Sequence, residues 1–181
     1  MEYSSEGSKK TLTVEIYEWM EALVPAFIII VALLTFVFMR FTVIGSSMLP
    51  TLHDGDQLLT YHLFYTPKKG DIITLNSPQL EKNLVKRVIA TPGDTISFNF
   101  DAGEVYVNGE LLDEPYINTP TNLKANWNYP NTIPEGYIFV MGDNRNNSRD
   151  SRSKDVKLVK YEDITGRAIF IWYPFNRMKT I

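Results

Sequence analysis

The sequence has no cysteine, and only two histidines, His53 and His62, in 181 residues. The first absence excludes a thiol nucleophile, disulfides and thiolate metal sites, and is compatible with an extracytoplasmic setting. The second argues against a dedicated zinc centre, whose usual ligands are imidazoles and thiolates. An excess of positive charge is also missing, since 18 Lys and Arg stand against 21 Asp and Glu for a formal net charge of −3. Nucleic acid is therefore not an expected partner, because no broad basic surface is available to grip phosphates. There is no P-loop pattern, internal repeat or low-complexity tract.

What the chain does have is one long apolar run. After polar residues Met1 to Lys10, Leu12, Ile16, Trp19, Met20 and Leu23 recur at helical spacing, with Glu15, Glu18 and Glu21 on other faces. This reads as an amphipathic lead-in whose Tyr17 and Trp19 suit a headgroup layer. Leu23 to Met39 is then apolar over about 17 residues, roughly 26 Å as a helix and near the lower limit for crossing a bilayer. A cleaved secretory signal is a rival reading, with Gly45-Ser46-Ser47 as its exit, but the core is long for one and Arg40 and Phe41 interrupt the path. A buried core helix fits less well, because the run is apolar all round. The expected division is residues 1–21 as a cytoplasmic or interfacial segment, 22–41 as a transmembrane helix, and 42–181 as an extracytoplasmic domain. Lys9 and Lys10 before the span, against Arg40 after it, lean towards that orientation.

Beyond the run, short β-branched and aromatic stretches alternate with turns, so a single, mainly β domain is expected. Gln57–Tyr61, Asp71–Leu75, Leu84–Ala90, Thr95–Phe100, Val105–Val107, Leu111–Leu112, Tyr137–Met141 and Ala168–Tyr173 are the expected strands. Asn108-Gly109 predicts a two-residue hairpin with positive φ. Asn118 to Pro134, with its prolines and asparagines, reads as a surface loop.

Three places could carry chemistry. Gly45-Ser46-Ser47-Met48-Leu49-Pro50-Thr51-Leu52 is a hydroxyl-bearing turn directly after the apolar run, suited to a nucleophile or to a plain membrane-exit linker. A serine needs a base, and either His53 or His62, or a lysine stripped of water, could supply one. Lys86 is the lysine candidate, although Lys86 and Arg87 alternate along one strand and pattern alone does not say which turns inward. Gly142 to Arg152 crowds amides, carboxylates, hydroxyls and guanidiniums into one loop, a rigid scaffold or a solvated one.

Together, Ser46 to Leu52, Lys69-Gly70-Asp71-Ile72, Lys86 to Asp94 and Gly142 to Arg152 resemble the ordered boxes of bacterial type I signal peptidases, in the Gram-positive form with a lone N-terminal span. The resemblance covers Met20 to Arg152. It implies a fold of antiparallel sheets with one transmembrane helix and an exposed apolar surface beside the site. It also implies a membrane-bound serine endopeptidase with a Ser-Lys dyad and no cofactor, acting on exported precursors that have small residues at the first and third positions before the cut.

Matched residue by residue, the nucleophile is Ser47 and the base Lys86. Ser148 orients the amine, Asp143, Asp150 and Arg152 hold the site together, and Ser46 is left without a role. Phe41, Val43, Met48, Leu52, Leu84 and Val85 are candidates for lining the substrate pockets. Asn146 stands where many relatives carry aspartate. Gly45 stands where Gram-negative relatives carry a hydroxyl and Gram-positive relatives also tend to have glycine, so either a second oxyanion donor beside the Ser47 N–H comes from elsewhere or the hole is weaker. A self-cleaving relative of the SOS repressors, or an anchored scaffold without catalysis, are the competing readings.

Overall fold

The computed structural model describes residues 12–181, so the polar stretch Met1–Lys10 and its two lysines lie outside the described residues. The chain divides into two units, one ending at Val37 and the other spanning Phe38–Ile181. In the first, helix α1 runs Leu12–Val37, 26 residues or about 39 Å at the α-helical rise. The expected lead-in and apolar run are thus one continuous helix. Phe27, Ile28 and Phe36 are exposed to more than half their area, and the Val14–Val37 stretch is long and apolar enough to cross a membrane.

The helix stops four residues short of the expected Phe41. Phe38–Thr42 is instead strand β1, whose backbone groups pair with β2 (Gln57–Tyr61) in the register Phe38↔Tyr61 to Thr42↔Gln57. Helical hydrogen bonds would leave β2 with an open edge; the ladder satisfies both segments at once. The apolar letters of Phe38, Met39 and Phe41 do not distinguish the two outcomes.

The second unit is mainly antiparallel β. With β3 (Ile72–Ser77), β4 (Lys82–Ala90), β5 (Ile96–Asn99), β6 (Glu104–Val107), β7 (Glu110–Leu111), β8 (Tyr137–Met141), β9 (Val159–Lys160), β10 (Ile164–Tyr173) and β11 (Lys179–Thr180), the large sheet has the order β1-β2-β10-β3-β4-β8-β9, and β11 pairs with β10. A meander β5-β6-β7 forms the second sheet. Its β6–β7 hairpin turns on Asn108 and Gly109, at φ 56° and 81°, as the Asn-Gly pair requires.

Period-2 alternation divides the core. On β8, Ile138 and Val140 join one buried cluster with Ile73 and Val88, while Phe139 and Met141 join another with Ile89 and Ile96. A third cluster holds Val43, Met48, Leu52, Leu58, Val85 and Ile171. Met48 and Leu52 both lie in the expected nucleophile turn, after Ser47, and burying two such side chains contributes about 2–3 kcal/mol each. Packing therefore fixes this glycine-containing, serine-rich turn.

Candidate active site

The turn is closed at its base and pinned at its tip. Val43 N donates to the Asp56 carbonyl at 2.8 Å and Gly55 N to the Val43 carbonyl at 2.9 Å, so residues 44–54 form a loop clipped between β1 and β2. Asp56, buried, is held by Arg177 through two 3.0 Å bonds and accepts from His53 N. Within the loop, Leu49 N reaches the Ser46 carbonyl and Leu52 N the Met48 carbonyl, closing two successive hydrogen-bonded turns.

From the other side, Asn144 clamps the same backbone. Its Nδ2 donates to the Ser46 carbonyl and its N–H to the Ser47 carbonyl, both at 3.0 Å. Gly142 makes this approach possible, because a Cβ there would collide with the Ser47 carbonyl oxygen and with Ser148.

Lys86 and Arg87 both turn inward, and each finds a different partner. The last β4–β8 partners are Arg87↔Met141, which sets Lys86 level with Gly142 as β8 runs into the polar loop. Lys86 is 2% exposed, and its Nζ lies 2.8 Å from both Ser47 Oγ and the Val85 carbonyl. Burial draws its pKa down from 10.5 to about 8, against an upward pull from Asp150 and Asp143. Of the two imidazoles, His53 is exposed and His62 keeps a buried Nδ1 without a partner.

The loop from Gly142 to Arg152 is a lattice of buried charges. Asp143 accepts Nε and Nη2 of Arg87 at 2.8 and 2.7 Å and the Thr51 hydroxyl at 2.5 Å, tying β4 to the nucleophile turn. The Arg87 guanidinium stacks 4.0 Å from the Tyr116 ring centroid. Asp150 accepts the Gly142 N–H and the Nε and Nη2 of Arg152. Burial alone would raise Asp150; the Arg152 bonds and charge, the Gly142 N–H and the nearby Ser148 hydroxyl outweigh it and hold the carboxyl below its ordinary value. Arg152 Nη2 continues to the Arg145 carbonyl, and fully buried Arg145 reaches the Gly142 carbonyl, Thr121 and Glu114.

Ser148 Oγ is buried and packed against Gly142 without a well-formed hydrogen bond, and the Lys86 bonds go to Ser47 and Val85. Asn146 uses both ends of its amide, accepting from Asn122 N and Leu123 N and donating to the Pro120 carbonyl, a bond that aspartate could not make.

The expected pocket residues divide between two clusters. Met48 and Leu52 are fully buried, Val43 and Val85 nearly so, and Phe41 packs against the same cluster. Leu84 belongs with Ile73 and Val88 in a different one. Alternation along β4 separates it from Val85, so the six do not share one wall. The concavity beside Ser47 is an open groove of about 390 Å³ lined by residues 44–47, Leu123 and 146–149. Another, of about 310 Å³ between Leu75, Trp127 and Val159, contains neither Ser47 nor Lys86. Among the described residues, no group of three or more His, Asp and Glu side chains is placed to hold a metal ion.

Thr51, Arg87, Asn144 and Arg145 are supports that residue matching had not assigned. Their signal in the sequence is that all four fall inside the matched boxes, without a role attached to them there.

Comparison with known proteins gives the class, since residues 16–173 match the family described as Signal peptidase, peptidase S26, whose members are serine peptidases. A signal peptidase I of Bacillus licheniformis is 34% identical over 188 residues, covering 98% of this chain and 97% of the relative. Signal peptidase I T of Bacillus subtilis (strain 168) is 35% identical over 187 residues, covering 97% and 95%. The crystal structure of a signal peptidase I from Enterococcus faecalis V583 is 33% identical, covering 57% of this chain and 97% of that one, with a TM-score of 0.47. The chain belongs to the signal peptidase, peptidase S26, family.

Proposed function

We propose that this protein removes signal peptides from exported precursors, cutting after a small-x-small motif with Ser47 as nucleophile and Lys86 as base. One observation carries the reading: a water-stripped lysine amine 2.8 Å from an alcohol at the edge of an open groove. At pH 7 an amine with a pKa of about 8 is neutral about one time in ten, against roughly one in three thousand at 10.5. Only the neutral amine has the lone pair a general base needs.

Neutral Nζ keeps one N–H on the Val85 carbonyl and turns its lone pair to the Ser47 proton. As Oγ bonds to the scissile carbonyl carbon, that proton passes to Nζ and the carbonyl oxygen becomes an oxyanion. Collapse expels the new amino terminus, which takes the proton from Nζ, and the signal peptide remains as an ester on Ser47. Water, deprotonated by the same amine, opens the ester and restores the alcohol.

The Ser47 N–H is the first oxyanion donor. The Ser46–Ser47 peptide is trans, and its carbonyl points to Asn144 Nδ2 and Leu49 N. The N–H of the same peptide therefore points the opposite way. Such a donor contributes a few kcal/mol to the transition state. Asp143, Asp150 and Arg152 act as positioning residues through the lattice, with Ser148 packed beside the Asp150 carboxylate.

Cleavage of a precursor with a small-x-small site by wild type, Ser47→Ala and Lys86→Ala is the test. Both variants are expected to be inactive, and full cleavage by either removes the dyad.

We also propose that the α1 residues from position 22 onward cross the bilayer, with the amino terminus cytoplasmic and Phe38–Ile181 outside. The absence of cysteine gives a clean background for the check. In intact cells an impermeant maleimide labels Asp101→Cys and not Ser8→Cys; the reverse pattern inverts the orientation.

A further inference from the structure

The groove holds a second alcohol that this mechanism does not use. We infer that Ser46 Oγ is the second donor to the oxyanion, and that Asn147 is the positioning residue that turns its proton outward. The inference rests on Ser47 being the nucleophile.

Gly45 cannot supply the donor. It has no side chain, its φ of 86° is one that L residues rarely adopt, and its N–H is committed to Asp54 Oδ1 at 2.6 Å. Most other hydroxyls and guanidiniums near the groove are spent inside the protein. Thr51 donates to Asp143, Arg87 and Arg152 are locked to carboxylates, Arg145 is fully buried, and Ser148 Oγ is buried against Gly142.

Ser46 is different. It lines the groove beside Ser47, half-buried, and its Oγ accepts from Asn147 Nδ2 at 3.0 Å. A hydroxyl carries one donor and two acceptor sites, so a bond accepted from Asn147 leaves the Ser46 proton available. That bond also turns the proton away from Asn147, because a hydroxyl that accepts on one side donates on another. Asn144, clamping the Ser46 and Ser47 carbonyls together, holds the two residues in one relative orientation. The Ser46 side chain and the Ser47 main chain then present two adjacent donors at one point of the groove, the arrangement that stabilises a tetrahedral oxyanion.

The experiment measures kcat and KM separately for the full chain in detergent, on a small-x-small precursor peptide, with the thermal midpoint of each variant. Ser46→Ala is expected to lower kcat on the order of 10²-fold, with KM within about twofold. Ser46→Thr, which keeps the hydroxyl, retains kcat within about tenfold of wild type, where damage to the turn by any substitution would not be rescued. Asn147→Ala gives a smaller loss that disappears in the Ser46→Ala background, as coupled groups do. The alkaline rise of activity keeps its midpoint in Ser46→Ala, since the Lys86 amine is untouched.

Three results overturn the assignment: a Ser46→Ala kcat within about threefold of wild type, an equal kcat loss in Arg149→Ala at the groove rim, or an Asn147→Ala loss that persists undiminished without Ser46. Failure of the underlying reading looks different, because Ser47→Ala or Lys86→Ala would then still cleave.

Discussion

Replacing Lys86 with methionine is expected to stabilise the protein at neutral pH and to lose that advantage in alkali. In the fold the amine has a pKa of about 8, and in the unfolded chain its ordinary 10.5. Between those values the unfolded chain binds more protons, so wild-type stability rises with pH across the window from about 8 to 10.5. Below about 8 both states carry the proton, and the full cost of burying the charge is present. Above 10.5 neither does, and the cost is gone. The displacement corresponds to about 3 kcal/mol. Methionine nearly matches the lysine stem but carries no charge; it forfeits bonds to Val85 and Ser47, about 1 kcal/mol each. Those lost bonds are the same at every pH, so the informative quantity is the change in the mutant-minus-wild-type difference. Urea unfolding of the full chain in a nonionic detergent, followed by Trp127 and Trp172 fluorescence at pH 6.5 and pH 10.5, reads it. A shift of about 3 kcal/mol between the two conditions is expected. A difference independent of pH would mean that the amine loses nothing on burial, and the case for a neutral lysine base would fall.

On the proposed mechanism the same amine sets the rate: kcat/KM is expected to climb with pH to a plateau with its half-rise near 8, and Lys86→Arg to stay inactive throughout, because a guanidinium does not deprotonate in this range. Asp143→Ala leaves the Arg87 guanidinium buried without its carboxylate, at a cost of about 3–5 kcal/mol in urea unfolding. Gly142→Ala is expected to lower kcat about 10²-fold while the chain still folds, because the new Cβ pushes on the Ser47 carbonyl and so moves the nucleophile.

Much of the fold was legible where side-chain periodicity and turn chemistry agreed. Gln57–Tyr61 and Tyr137–Met141 stand at their expected bounds, and Asn108-Gly109 forms its hairpin. Strand β1 was not legible, since Phe38–Thr42 continues an apolar run and only the long-range partner β2 makes it extended. Two-residue strands such as β9 and β11 are too short to carry a period. At the site, the matched boxes singled out Ser47 and Lys86, whose side chains lie 2.8 Å apart, but local pattern did not choose between Lys86 and Arg87. The structure answers with two inward cations, because the eleven residues Gly142–Arg152 bring carboxylates that no β4 pattern announces. The pocket residues could be named only from the matched boxes, because an apolar letter near Ser47 does not distinguish a wall of the groove from the core behind it.

The mesh of Arg87, Asp143, Arg145, Asp150 and Arg152 also constrains how this segment can drift. Remove the charge of any one partner and a naked charge is stranded in the interior; only paired replacements, made together, avoid that state when a charge is lost. Between the present arrangement and any apolar alternative lies a gap that single substitutions do not bridge. A loop built this way is frozen by its own chemistry.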